Sequence, residues 1–243
     1  MGNMKTKLVV PDEPYACNML IVGEMPHELD ADSTAFSQSN LHGQDLAKLI
    51  DRAGLYWHKI ARTNVFSEKA WPTSISVEDY FDSALDPAAV KSMEFAPFDF
   101  NGHCWWPKPQ FAPELRRLAS EVHLVQPRFI LAVGRTATWA INTLFAREDE
   151  RHEKREMHEF FDFVLQSAQH MVHVLPIPHP AYYRHLAAAL NKHSRLNLAS
   201  IEHAHARTVA CIKGQFQLAE QRAASAAWKP PVEPTEGAED ATD

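Results

Sequence analysis

A carboxylate and an imidazole stand on two short polar loops, each directly after an apolar run. Gly23-Glu24-Met25-Pro26-His27 follows Met19-Leu20-Ile21-Val22, and His179-Pro180-Ala181 follows Val172-His173-Val174-Leu175-Pro176-Ile177. A positioned acid and a positioned imidazole are the groups that general acid–base catalysis draws on. Apolar runs of this kind read as buried strands, and in open parallel sheets functional groups gather just outside the carboxyl ends. The two loops therefore point to one cleft. Metal chemistry finds little support among the 14 histidines. His203 and His205 are two apart on a helical stretch and do not share a face. No HExxH or paired Cys/His set occurs, and His103-Cys104 is too little for a site, so neither zinc nor any other metal is expected.

The elements that must position these loops alternate along the chain. After the first strand, Gln44 to Gly54 has helical spacing and ends in glycine. A second strand is expected at Ile60-Ala61-Arg62-Thr63-Asn64-Val65. A helix from Pro113 to Val125 leads to strand Phe129-Ile130-Leu131-Ala132-Val133, and Gly134 opens a helix running to Phe145. The fourth strand ends at His179, and helices occupy most of 183–227. Short strands alternating with longer helices predict a three-layer α/β/α fold with a mainly parallel, four-stranded sheet.

Residues 1–228 read as one domain. Ser67 to Gln110 reads as an irregular, Pro-rich insertion whose rings, Trp71, Trp105 and Trp106 among them, need burial against the domain. Arg147 to Glu159 carries ten charged side chains of mixed sign and reads as a solvated helix face or loop. Residues 229–243 are acidic and Pro-rich, a disordered tail that holds −4 of the total −7 charge. No Asp or Glu occurs between Asp162 and Glu202, whereas Arg184, Lys192, Arg195 and five histidines do. A locally non-negative surface around the His179 loop would tolerate phosphates. No apolar run reaches the roughly 20 residues that span a bilayer, and the N-terminal residues lack a secretory h-region. Cys17, Cys104 and Cys211 show no CxxC spacing and cannot all pair, which points to a reducing, cytoplasmic or similar intracellular setting.

Gly23-Glu24-Met25-Pro26, Phe36, Gly43 before a helix, Thr63-Asn64-Val65, Val133-Gly134 before Ala137, and His179-Pro180-Ala181 occur in one order. In that order the chain resembles the uracil-DNA glycosylase superfamily, over about residues 18 to 195. The first loop is most similar to the Gly-Glu-Ala-Pro-Gly loop of bacterial and archaeal branches. The resemblance implies hydrolysis of the N-glycosidic bond of uracil or a related modified pyrimidine in DNA, with no cofactor beyond water.

The same resemblance assigns roles. Phe36 and Met25 would bound the base pocket, with the Phe36 ring as stacking platform; a core phenylalanine is the competing reading. Asn64 would read a pyrimidine edge through its donor and acceptor, against a routine role at a strand end. His179 would donate a hydrogen bond to the base O2 as negative charge develops. Glu24, or Asp30 beyond it, would orient water near the cationic sugar; otherwise Glu24 shapes its loop through backbone hydrogen bonds. Tyr182 and Tyr183 would press into the duplex, and Arg184, Lys192 and Arg195 would meet phosphates.

Three features depart from the branch. His27 replaces the small residue after Pro26, the interval from Phe36 to Gly43 is longer, and three scattered cysteines cannot make a Cys₄ iron–sulfur site. No cluster is expected. Two other readings stay open: an inactive, glycosylase-like module that binds DNA or protein, and a nucleoside or small-molecule hydrolase on the same sheet.

Overall fold

Alternate residues of the central strands feed two separate cores. Leu20 and Val22, Ile130 and Ala132, and Val172 and Val174 lie in one apolar cluster; Ile21, Phe129, Leu131, Leu175 and Ile177 lie in the other. A strand buried on both faces reads as an unbroken apolar run, which is why these segments show no polar alternation. The structure is a computed structural model; residues 7–24, 35–36, 38, 41–67, 81–82, 98–100, 103–108, 111–146, 157–180 and 198–227 are described.

The main sheet has five strands in the order β2-β1-β6-β8-β7. They are β1 (Leu20–Gly23), β2 (Ala61–Asn64), β6 (Phe129–Val133), β7 (Phe161–Leu165) and β8 (His170–Ile177). β1 pairs in parallel with β2 and with β6, and β6 in parallel with β8. The four strands expected from the sequence thus form the parallel core of an α/β/α fold. A fifth, β7, pairs antiparallel with β8 along one edge. Its sequence, Phe161-Asp162-Phe163-Val164-Leu165, alternates buried and exposed residues, the pattern of a strand covered on one face only.

Among the described residues, four α-helices pack on the sheet. α1 (Leu41–Arg52) and α4 (Leu198–Ala227) place Leu46, Leu49, Ile50, Ile212, Phe216 and Ala219 on one core. α2 (Ala112–Val125) and α3 (Arg135–Phe145) place Leu115, Leu118, Val122, Ala137, Ala140 and Ile141 on the other. α2 begins with Pro113 in its first turn and stops at Gln126, whose left-handed φ of 49° lets its N–H return to the Val122 carbonyl at 2.9 Å.

The insertion is more regular than its composition suggested. β3 (Phe81–Asp82), β4 (Phe98–Phe100) and β5 (His103–Pro107) form a second, antiparallel sheet in the order β3-β5-β4. Phe100 opposes His103, so only Asn101-Gly102 separates β4 from β5. Asn-Gly between two such runs is the strongest short-range hairpin signature, and the density of Pro and aromatics had masked it.

The acid-free interval also needs correction. Its His173 is buried, within 2.5 Å of Asp162 and of Arg222 on α4, and the His170 ring donates to the Pro127 carbonyl at 3.0 Å. Two of the five histidines thus serve the sheet rather than a phosphate-facing surface.

Leu131 is fully buried at the centre of β6. Leu131→Ala is expected to destabilise the fold by about 2–5 kcal/mol, and Met171→Ala, exposed on β8, by less than about 0.5 kcal/mol. Urea unfolding midpoints check both.

Candidate active site

The strand order reverses at β1: the chain runs from β1 to β2 on one side and returns to β6 on the other. At such a switch the flanking connections part and leave a crevice beyond the carboxyl ends. Gly23 and Glu24 end β1, Asn64 ends β2, Gly134 follows β6, and His179 follows β8.

Gly23 brings the ends of β1 and β2 together with Phe36. A Cβ built on Gly23 would sit 2.6 Å from Asn64 Oδ1 and would overlap the Phe36 ring at Cζ and Cε2. The ring and the amide therefore both lie against the bare backbone at the end of β1. Phe36 itself holds a left-handed φ of 55°, unusual for a bulky residue, and is only 8% exposed. Such a conformation persists only where its surroundings impose it, at about 1–3 kcal/mol. The backbone is tied here too: Val65 and Phe66 donate to the carbonyls of Gly23 and Glu24 at 2.7 and 2.9 Å.

Asn64 is 2% exposed, and neither its Nδ2 nor its Oδ1 has a hydrogen-bond partner. A buried, unanswered amide is expensive and uncommon in a native protein. It offers one acceptor and two donors to whatever enters beside the Phe36 ring.

Glu24 lies at the start of α3, where the Thr136 hydroxyl donates to its carboxylate. Burial pushes the carboxyl above the ordinary glutamate range, and the Thr136 bond offsets only part of that rise. The turn between β6 and α3 reaches the other loop. Gly134, at φ 87°, donates to the Ile177 carbonyl at 2.8 Å, and a Cβ there would lie 3.6 Å from His179 Cβ. From the opposite side the His42 ring, in the first turn of α1, lies 5.0 Å from the His179 ring at an interplanar angle of 54°.

Of the residues singled out in the sequence, Phe36 and Asn64 meet at Gly23, Glu24 follows that glycine directly, and His179 lies across the Gly134 turn. Met25, Asp30, Tyr182, Tyr183, Arg184, Lys192 and Arg195 lie outside the described residues. His42 and Thr136 escaped the sequence reading, although both adjoin residues it used: His42 precedes Gly43, and Thr136 follows Gly134 by two. Among the described residues no group of three His, Cys, Asp or Glu is placed to hold a metal ion.

The model of the Uracil DNA glycosylase superfamily matches residues 11–199. The chain belongs to that superfamily. The match takes in β1 through β8 and every candidate residue above. Membership makes the chain in general a glycosylase-type hydrolase that acts on DNA. A search of curated proteins finds no match.

The crowding at Gly23 has a measurable consequence. Gly23→Ala should destabilise the protein, and less so in a Phe36→Ala background, where the overlapping ring is gone. A double-mutant cycle on unfolding free energies is expected to give a coupling of about 0.5–3 kcal/mol; strict additivity would separate the two residues.

Proposed function

We propose that this protein is a monofunctional DNA glycosylase that hydrolyses the bond between deoxyribose and uracil or a related modified pyrimidine, leaving an abasic site. The observation that carries the reading is the buried Asn64 amide with no partner of its own, set beside a strained aromatic ring. An extrahelical pyrimidine offers what both lack, a flat face for the ring and an edge with paired donor and acceptor. Stacking of about 1–3 kcal/mol per base offsets much of the few kcal/mol spent in unstacking it.

The remaining groups fit the bond cleavage. As the glycosidic bond breaks, positive charge develops on the sugar and negative charge on the departing base. His179 donates to the base oxygen where that charge collects. The Glu24 carboxylate faces the cationic sugar and orients the attacking water, accepting its proton. The Thr136 hydroxyl holds the carboxylate in place and favours its ionised form. In this reading Tyr182, Tyr183, Arg184, Lys192 and Arg195 meet the duplex and its phosphates, and Met25 completes the pocket wall.

Incubation with oligonucleotides containing uracil, hydroxymethyluracil or only normal bases, followed by alkaline scission, tests the activity. Strand breaks at a modified base are expected. Absence of breaks on every substrate, with salt-dependent binding retained, would instead identify a DNA-binding module. Asn64→Ala and His179→Ala are expected to lower turnover while leaving the fold intact, the latter by about 10²–10³-fold as for loss of one oxyanion donor.

The Glu24 environment sets the pH profile. A base must be ionised, and a pKa above the ordinary value of about 4.3 means that activity is lost at higher pH on the acid side than an exposed glutamate would give. Thr136→Val removes the bond that favours the carboxylate, so this acid limb of kcat/KM should move further up. An unmoved limb would argue against Glu24 as the base.

A further inference from the structure

Resting on the glycosylase reading, we infer that Arg117 is a positioning residue whose guanidinium clamps the carboxyl end of β2 and so sets the orientation in which Asn64 meets the base. β2 is an edge strand of the main sheet. Its outer edge is paired at Arg62, which exchanges two backbone bonds of 3.0 Å with Val9. Two residues further on, at Asn64, no strand among the described residues continues that pairing, and a side chain from α2 takes its place.

Arg117 Nη2 donates to the Asn64 carbonyl at 2.7 Å and to the Val65 carbonyl at 3.0 Å. The rest of the guanidinium is held from its own helix: Nε by Glu114 at 3.0 Å and Nη1 by Glu121 at 2.6 Å. Glu114, Arg117 and Glu121 are three and four apart, one face of α2. The two carboxylates also grip β2 and its exit directly. Glu121 accepts from the Thr63 hydroxyl, and Glu114 accepts from the Ser67 N–H at 2.9 Å and the Ser67 hydroxyl at 2.8 Å. Burial pushes the Glu114 carboxyl up, but the Ser67 bonds and Arg117 outweigh it and hold it below the ordinary range, so it stays charged at neutral pH.

Thr63, Asn64, Val65 and Ser67 are thus all bound to one face of α2, while the Asn64 side chain is left unbound on the opposite side of the strand. Docking of α2 does not require this arrangement, because Leu115, Leu118 and Val122 already bury the helix. The polar clamp adds direction: it fixes the Cα–Cβ vector of Asn64 toward Gly23 and Phe36. Only a planar fork can span two carbonyls and two carboxylates, so lysine is no substitute.

The experiment compares Arg117→Lys, which keeps a cation between the carboxylates, with Leu118→Ala, a core change on the same helix, at a temperature where both are folded. For Arg117→Lys we expect kcat on uracil DNA to fall about 10²-fold, the usual penalty of a misplacement near 1 Å, with KM little changed and uracil-over-cytosine preference reduced. Leu118→Ala should keep both the wild-type kcat and the preference. A second readout is independent of activity: the side-chain amide resonances of Asn64, assigned by their loss in Asn64→Ala, should be sharp and dispersed in wild type and Leu118→Ala, and shifted or broadened in Arg117→Lys. If the lysine variant matches Leu118→Ala in turnover, or leaves the Asn64 amide unmoved, the clamp is overturned. If the wild-type protein cleaves no substrate, the glycosylase reading fails, and the amide resonances still decide whether Arg117 orients Asn64.

Discussion

Everything at the carboxyl ends of the sheet is arranged around the side chain that Gly23 lacks. β1 is flanked on both sides by parallel strands, so its last residue sits at the floor of the crevice where the connections part. With only a hydrogen there, an aromatic ring from one loop and an amide from the next strand approach the backbone itself. Any larger residue would push both away. Phe36 takes its left-handed backbone at the point where its ring meets that glycine. The strain and the close approach are two sides of one packing decision, made where the sheet topology leaves room.

That decision has an energetic counterpart. β1 and β6, at the centre of the sheet, are apolar and buried on both faces. Polar groups at or just beyond the strand ends find partners: the Glu24 carboxylate in the Thr136 hydroxyl, the Gly134 N–H in the Ile177 carbonyl, and the Val65 and Phe66 N–H groups in the carbonyls of Gly23 and Glu24. The Asn64 side-chain amide finds no partner, and its unmet bonding capacity costs about 1–3 kcal/mol of desolvation. The bonds to the neighbouring backbone hold the strand end on which this buried amide stands. A site in which every group were satisfied would be more stable.

Much of this was legible in the residues. Two-sided burial made β1, β6 and β8 visible as apolar runs, and Gly134 between Val133 and α3 marked a turn that only glycine adopts easily. The ordered motifs then placed Glu24, Asn64 and His179 at strand ends and Phe36 between the first strand and the first helix. What stayed hidden depends on contacts between distant segments. β7 alternates over only five residues and follows a highly charged run, so it merged with its surroundings. The second sheet was obscured by Pro-rich composition despite its Asn-Gly signature. Thr136, His42 and Arg117 are ordinary helix residues in sequence; their meaning comes from what the sheet carries to them. His173 misled in the opposite direction: it added to an acid-free interval read as tolerant of phosphates, although Asp162 and Arg222 hold it inside.

The long helix α4 closes the molecule from its far end. Glu220 accepts the Cys17 N–H at 2.9 Å, just before β1, across 203 positions of chain, while Phe216 packs its ring on Tyr15 and Phe129. On the ribosome, at about 5–20 residues per second, roughly 10–40 s separate the emergence of those two partners. Until α4 emerges, α1 alone of the described helices is available to cover that face, and Ile21, Leu131 and Ile177, each from its own emergence, are offered to chaperones or to neighbouring chains. Biogenesis of this protein is therefore a waiting problem, ended only when α4 arrives.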